Sequence, residues 1–194
     1  MRHDVQRPVY QSGRSPRGKM PAMLSTRPAA TEFVTFYAGY IARVPDGRWL
    51  ERLEAQPAEL RAALAGYDDA RAALPMAPGK WSLLDLLTHL CDTERVFAFR
   101  LLWFARADAS ELPGFDQDAW AIAAAPSTRT VTGVLDEFAA TRQATLALLR
   151  HLPDDVADRR GVANGNAVTV RALAWMIPGH AQHHLDALRE LDRE

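Results

Sequence analysis

Cysteine is almost absent from the 194-residue sequence, which contains only Cys91. A single cysteine excludes an intramolecular disulfide framework and any zinc or iron–sulfur site built from several cysteines. Proteins without disulfides are typical of reducing compartments, so the sequence predicts a cytoplasmic protein.

The sequence also lacks a long apolar run and an excess of charge of either sign. No stretch reaches the roughly 20 apolar residues that a membrane span needs, and the N-terminal segment has no apolar core of a secretory signal. The 23 Lys and Arg residues are matched by 24 Asp and Glu residues, which gives a formal net charge of -1. We therefore expect neither a membrane nor a nucleic acid as a partner.

The N-terminal segment is rich in Arg, Pro, Ser and Gly and poor in large apolar side chains. Burial of so few apolar groups cannot offset the entropy lost on ordering the chain. We therefore expect a flexible tail over residues 1–30 and a folded domain over residues 31–194. Met20 and Met23 lie inside this tail, which favours a start codon downstream of Met1 over a transit peptide, the alternative for an Arg-rich leader.

Helical spacing of apolar residues dominates the rest of the chain, and alternating strand patterns are nearly lacking. The pattern predicts four helical regions, at about 31–66, 82–107, 130–151 and 170–192. The VPDG sequence at residues 44–47 breaks the first, and Pro178 kinks or splits the last. The long connection between the second and third helices holds one short helical stretch near residues 117–124. This arrangement predicts an all-α four-helix bundle with one long crossover.

The fourth predicted helix carries three histidines within five positions, His180, His183 and His184. Residues four positions apart differ by about 40° around a helix, so His180 and His184 share one face. They continue an apolar stripe that includes Leu173 and Ile177, where a bundle normally buries leucine. His183 lies about 60° to one side and is a flanking residue.

Two imidazoles that face a bundle core need buried partners, and a shared metal ion is one way to provide them. Side chains at i and i+4 have Cβ atoms about 5 to 6 Å apart, which lets two ring nitrogens bind one cation. His89 stands at the margin of the apolar stripe of the second helix and is the candidate third ligand, whereas Cys91 points about 200° away from it. The alternative is that these histidines simply pack in the core.

Four segments of the chain resemble, in order and spacing, the DinB-like superfamily of damage-inducible bacterial proteins. They are WSLLDLLTHLCDTERVFAFR, LPGFDQDAW, EFAATRQATLALLRHL and RRGVANGNAVTVRALAWMIPGHAQHHLDALRE. The resemblance covers about residues 33–190 and implies a four-helix bundle whose long crossover joins helices two and three, frequently in a homodimer. It also implies a divalent metal held by three histidines, which correspond here to His89, His180 and His184.

The resemblance leaves the reaction open, because one fold and one metal site serve many reactions. Relatives include transferases and isomerases that use low-molecular-weight thiols, and some hydrolases. We expect a divalent-metal-binding protein, either an enzyme of thiol-transferase or hydrolase type with a small-molecule substrate or a non-catalytic stress-response protein. A metal-free helical dimerisation module is the third interpretation. Three imidazoles suit zinc, nickel, iron or manganese alike.

Polar residues close to the histidines are candidates to orient the imidazole rings. They are Asp92, Glu94, Asp116, Gln117 and His183. Asp92 can instead pair with Arg95, three positions on, as on a solvent-exposed helix face. Glu94 has no cationic side chain three or four positions ahead of it. The GFDQ segment that contains Asp116 and Gln117 fits equally well a turn that packs Phe115 on the bundle.

Overall fold

The structure of the protein is a computed structural model, which describes residues 20–108 and 110–191. The helices in those residues are α1 (Ala22–Ser25), α2 (Ala38–Ala42), α3 (Trp49–Ala63), α4 (Asp69–Ala72), α5 (Leu83–Ala105), α6 (Gln117–Ala123), α7 (Val131–Arg150) and α8 (Val170–Leu191). Two strands, β1 (Arg160–Ala163) and β2 (Asn166–Thr169), form an antiparallel hairpin just before α8.

The four long helices α3, α5, α7 and α8 form a four-helix bundle, as predicted. Helix α5 packs against both α7 and α8, and α3 packs against the same two helices from the other side. The predicted long crossover joins α5 to α7 and contains α6. In the parts of the chain that the structure describes, no helix is both long and apolar enough to span a bilayer.

A capping box fixes the start of α5. The Ser82 hydroxyl accepts a hydrogen bond from the Asp85 N–H at 3.1 Å, and the Asp85 carboxylate accepts one from the Ser82 N–H at 2.8 Å. These two bonds satisfy backbone donors that an α-helix leaves without partners at its N-terminus. They set the first turn of the helix that carries His89.

Helix α8 continues through Pro178 as one helix and does not split there. Proline has no N–H, so the carbonyl of Ala174, four residues earlier, loses its usual helical donor. The Trp49 indole Nε1–H replaces that donor at 2.9 Å, and the Gln56 amide donates to the Pro178 carbonyl at 2.7 Å. Helix α3 therefore compensates for the proline from outside α8.

The hairpin is a difference from the all-α prediction, which places no strand between the third and fourth helical regions. Asn164 and Gly165 occupy its two-residue turn with φ of 52° and 71°, the left-handed pair that Asn-Gly favours. Strands of four residues are too short to show a clear alternation of apolar and polar side chains in the sequence. The crossover joins the edge of this hairpin, since the Leu112 N–H donates to the Val162 carbonyl at 3.0 Å.

The predicted N-terminal tail, residues 1–30, differs from the structure over its last part. Residues 1–19 lie outside the described residues. Over residues 20–30, helix α1 packs on the bundle, Leu24 is fully buried, and its carbonyl accepts a hydrogen bond from the Trp175 indole at 2.9 Å. A single leucine in a polar segment is too little to predict an ordered helix from the sequence, yet Leu24 packs in the core.

A polar layer crosses the bundle between two apolar clusters. Arg142 is fully buried and donates from Nε and Nη2 to the two carboxylate oxygens of Glu94, at 2.8 Å each. Its Nη1 donates to the Gln56 side-chain oxygen at 2.9 Å, and Gln56 in turn binds the Pro178 carbonyl. The layer therefore links α3, α5, α7 and α8 through hydrogen bonds.

Replacing Glu94 by alanine is expected to lower the free energy of unfolding by about 3 to 5 kcal/mol, because the buried Arg142 charge loses its counterion. Urea denaturation of the purified variant measures this change. The control is Glu54→Gln, which removes an exposed ion pair with Arg150 and should cost less than about 1 kcal/mol. Equal effects of the two substitutions would contradict the role of Glu94 as the counterion of the buried Arg142.

A second ion pair of low exposure joins the N-terminal segment to α8. The Glu32 carboxylate accepts hydrogen bonds from Arg171 at 2.9 and 3.0 Å and from the Thr169 hydroxyl at 2.7 Å. Burial alone would raise the pKa of Glu32, but the bonds from Arg171, the Ala29 N–H and Thr169 hold it below its ordinary value. The ionised carboxylate is therefore the form that stabilises the fold.

We expect Glu32→Gln to lower the free energy of unfolding by about 1.5 to 3 kcal/mol at pH 7. A carboxyl whose pKa is depressed on folding stabilises above its unfolded pKa, and this stabilisation is lost as the pH falls through the folded pKa. The difference between wild type and variant should therefore shrink below pH 4.5, the ordinary value for Glu. Denaturation at several pH values tests this, with the exposed Asp46→Asn as control; a pH-independent difference would contradict it.

Candidate metal centre

The bundle brings His89 of α5 together with His180 and His184 of α8. The Nε2 atom of His180 lies 3.0 Å from Nε2 of His89 and 3.1 Å from Nε2 of His184. One ring nitrogen from each residue lies within 4.8 Å of the other two. His89 and His180 are buried and His184 is partly so, which leaves one side of the cluster open.

The spacing of these nitrogens fits one shared metal ion. Tetrahedral coordination with metal–nitrogen distances of about 2.0 to 2.1 Å places the ligand nitrogens roughly 3.3 Å apart. The two separations that involve His180, 3.0 and 3.1 Å, are close to this value, and the nitrogens of His89 and His184 lie within 4.8 Å of each other. Side-chain adjustment that brings these last two nitrogens to a similar spacing would let all three hold a divalent ion.

Burial keeps the three imidazoles neutral, which is the form that binds metals. It lowers the pKa of His89 to about 4, although the Asp118 carboxylate partly opposes this shift. It also lowers the pKa of His184 to about 3, and it lowers that of His180 well below its ordinary value, with the neighbouring histidines adding to the effect. No proton must leave these rings at neutral pH for a metal to bind.

Neighbouring side chains fix the orientation of the rings. The Thr93 hydroxyl lies 3.2 Å from Nδ1 and 3.4 Å from Nε2 of His89, so it contacts the ring close to both nitrogens. The Trp81 ring lies 5.0 Å from the His89 ring, and the Tyr40 ring lies edge-on 5.3 Å from that of His180. A polar contact to the ring and a rigid aromatic wall both restrict the orientation of a metal-binding histidine.

Gly179 allows Tyr40 to reach this position. A Cβ atom on residue 179 would lie 2.3 Å from the Tyr40 carbonyl oxygen, a backbone atom that can retreat only if α2 moves away from α8. The glycine is thus required for the close approach of the two helices beside His180.

Two cavities reach the histidine cluster from different sides. One has a volume of about 150 Å³ and touches His89 and His180. The other has a volume of about 810 Å³ and touches His184, and Gln117 borders both cavities. Small molecules can therefore approach the cluster.

Comparison with known proteins places the chain in a family. The model of the DinB superfamily matches residues 52–188. The chain belongs to the DinB superfamily. Its matched region includes the three histidines and the four bundle helices, apart from the ends of α3 and α8.

Individual relatives carry related names, and the solved structure of one of them has a similar fold. The chain is 24% identical over 156 residues to YfiT of Bacillus subtilis, which is named as a candidate metal-dependent hydrolase. The aligned residues make up 79% of this chain and 87% of YfiT. It is 30% identical over 88 residues to a Geobacillus thermodenitrificans protein named in the same way, covering 45% and 49% of the two chains. The solved structure of YfiT, described as an unusual four-helix bundle, superposes with a TM-score of 0.66, covering 75% of this chain and 85% of YfiT.

The structure separates the five polar candidates on this DinB scaffold. Glu94 points into the polar layer, where Arg142 takes up its carboxylate. Asp92 is half-buried and pairs with Arg95 at 3.4 Å. Neither carboxylate makes a hydrogen bond to the cluster histidines among the described residues.

Two of the other three candidates line the larger cavity, and the third has a structural role at the start of α6. Asp116 caps α6, since one carboxylate oxygen accepts from the Asp118 and Ala119 N–H groups at 3.0 and 3.1 Å. Gln117 lies at the border of the two cavities, and His183 lines the larger one with its ring 4.9 Å from that of His184. These two residues remain close to the predicted site.

Two residues that sequence reasoning missed lie near the cluster. Asp118 lines the larger cavity beside His184 and acts electrostatically on His89. Arg100 is buried and lines the smaller cavity together with His89 and His180. The spacing from His89 to Arg100 is three helical turns and was a usable signal, whereas Asp118 in the first turn of a short helix reads as an ordinary helix-dipole residue.

Alanine substitution of His89, His180 or His184 is expected to remove bound metal, because each variant leaves at most two of the three ligands. Elemental analysis after purification and extensive dialysis should give about one divalent ion per chain for wild type and a large loss for each variant. His151→Ala is the matched control, since its ring contacts its own helix through the Ala147 carbonyl at 2.7 Å. Full metal content in all three variants would refute this ligand set.

Proposed function

We propose that this protein is a metal-dependent hydrolase of small molecules, with His89, His180 and His184 as the ligands of one divalent ion. The carrying observation is the convergence of three Nε2 atoms, 3.0 and 3.1 Å apart, in a largely buried position beside two cavities. The names of the DinB-superfamily relatives support the same class of reaction.

A divalent ion held by three neutral imidazoles keeps its charge and supplies Lewis-acid chemistry, by which it polarises a carbonyl group and acidifies water. The protein adds a proton acceptor and a hydrogen-bonding group. Asp118 shares the larger cavity with His184, so its carboxylate oxygen is the proposed acceptor of the proton from the attacking water. Gln117 borders both cavities, and its side-chain amide is the proposed donor to the substrate.

The protein itself does not provide a reactive thiol at this site. The Cys91 sulfur lies 3.8 Å from the Val134 carbonyl in an apolar part of the core, and burial raises its pKa to about 12. A thiol-transferase reaction would therefore need a low-molecular-weight thiol as cosubstrate. That thiol, the choice among zinc, nickel, iron and manganese, the homodimer, the cytoplasmic location and the stress response stay predictions.

Asp118→Asn is expected to lower the rate of hydrolysis by about 100-fold or more, because the amide cannot accept the proton, while the metal content stays at the wild-type level. The assay uses protein loaded separately with each of the four metals and a panel of chromogenic esters and amides. Asp136→Asn, an exposed carboxylate paired with Arg61, is the control and should keep the wild-type rate.

Two results would count against this proposal in different ways. Hydrolysis that continues unchanged after chelation and dialysis would exclude a metal-dependent reaction. Stoichiometric metal without turnover of any substrate, together with a lower melting temperature on metal removal, would favour the non-catalytic metal-binding protein.

A further inference from the structure

Two arginines are buried in the part of the chain that the structure describes, and only one of them has a carboxylate partner. Arg142 is fully buried and paired with both oxygens of Glu94. Arg100 is 5% exposed and forms no ion pair with a described residue. A buried cation without a counterion is costly, so its retention calls for a function.

The partners that Arg100 does have are neutral. Its Nη2 donates to the Pro113 carbonyl at 2.8 Å, and the Tyr37 hydroxyl offers a further hydrogen bond. Burial lowers the pKa of Arg100 below its ordinary value, with Tyr37 opposing the shift, but a guanidinium stays protonated at neutral pH. No carboxylate of the described residues therefore compensates this positive charge beside the smaller cavity.

Arg100 and the histidine cluster border the same cavity. Their helix positions, 89 and 100, are separated by a rise of roughly 16 Å along α5. Side chains on a helix tilt toward its N-terminus, so the guanidinium is carried back toward His89. The remaining wall combines aromatic side chains, among them Tyr37, Tyr40, Phe97 and Phe115, with polar ones.

We propose that Arg100 binds the carboxylate of a small organic substrate and directs the opposite end of that molecule toward the histidine cluster. This inference rests on the proposed function, because it names the substrate class of the same site. One guanidinium compensates one negative charge, and its planar N–H groups match the two oxygens of a carboxylate. The cavity volume of about 150 Å³ suits a molecule near the size of benzene, and the aromatic wall suits an apolar body.

Binding of benzoate and benzamide tests this assignment, because the two probes share a ring and differ in charge. Titration calorimetry on the full chain, metal-loaded and metal-free, is expected to give benzoate a dissociation constant about tenfold lower than that of benzamide. Arg100→Gln should abolish this preference in both forms. Arg95→Gln is the matched control on the same helix, since Arg95 is half exposed and paired with Glu137 at 2.7 Å.

The comparison of the two probes on wild-type protein keeps the test decisive even where Arg100→Gln fails to fold. Equal binding of benzoate and benzamide, or an unchanged preference in Arg100→Gln, would overturn the inference. Tighter binding of phenyl phosphate than of benzoate would also overturn the choice of a carboxylate.

The outcomes also separate this inference from the proposed function. If the protein holds metal and hydrolyses esters but does not bind benzoate through Arg100, the carboxylate site is refuted and the proposed function stands. If the protein binds benzoate through Arg100 but retains no metal, the proposed metal-dependent hydrolase is refuted and the carboxylate site stands.

Discussion

Arg142 has no exposed surface, and its charge must be compensated inside the bundle. Glu94 provides the counterion, and Gln56 extends the hydrogen bonds to the backbone of α8 at Pro178. A buried pair of this kind contributes little net stability but penalises any arrangement that separates its members. The positions of α3, α5, α7 and α8 relative to one another therefore depend on this layer, and so does the meeting of α5 with α8 that creates the histidine cluster.

The proline and glycine of α8 would weaken an isolated helix, yet here each has a structural role. Pro178 frees the Ala174 carbonyl for the Trp49 indole, and Gly179 allows α2 to approach closely. The next residue in the chain is His180. The backbone beside the cluster is thus held by contacts from α2 and α3, which supports a fixed orientation of the imidazole rings.

The two cavities give the cluster an asymmetric environment. On one side, Asp118 and Gln117 offer polar groups in a wide opening. On the other, aromatic rings and the uncompensated charge of Arg100 border a narrow space. The β-hairpin and the crossover shape the narrow side, since Asn164, Gly114 and Phe115 belong to its wall. The walls of the cavities beside the cluster therefore come from the connections between helices as much as from the helices themselves.

Periodicity determined the four long helices and the shared face of His180 and His184, because both follow from 3.6 residues per turn. The position of His89 at the margin of the apolar stripe of the second helix made it the candidate third ligand, and the resemblance to the superfamily selected the same three histidines. The Asn-Gly pair at residues 164–165 is typical of a hairpin turn, but the flanking strands of four residues each are too short to show an alternating pattern in the sequence. Only the tertiary structure decided which carboxylates pair with arginines, that Asp118 lines the larger cavity, and that Arg100 is buried without a counterion among the residues that the structure describes. Those facts depend on side chains that are distant in the sequence, and no local pattern records them.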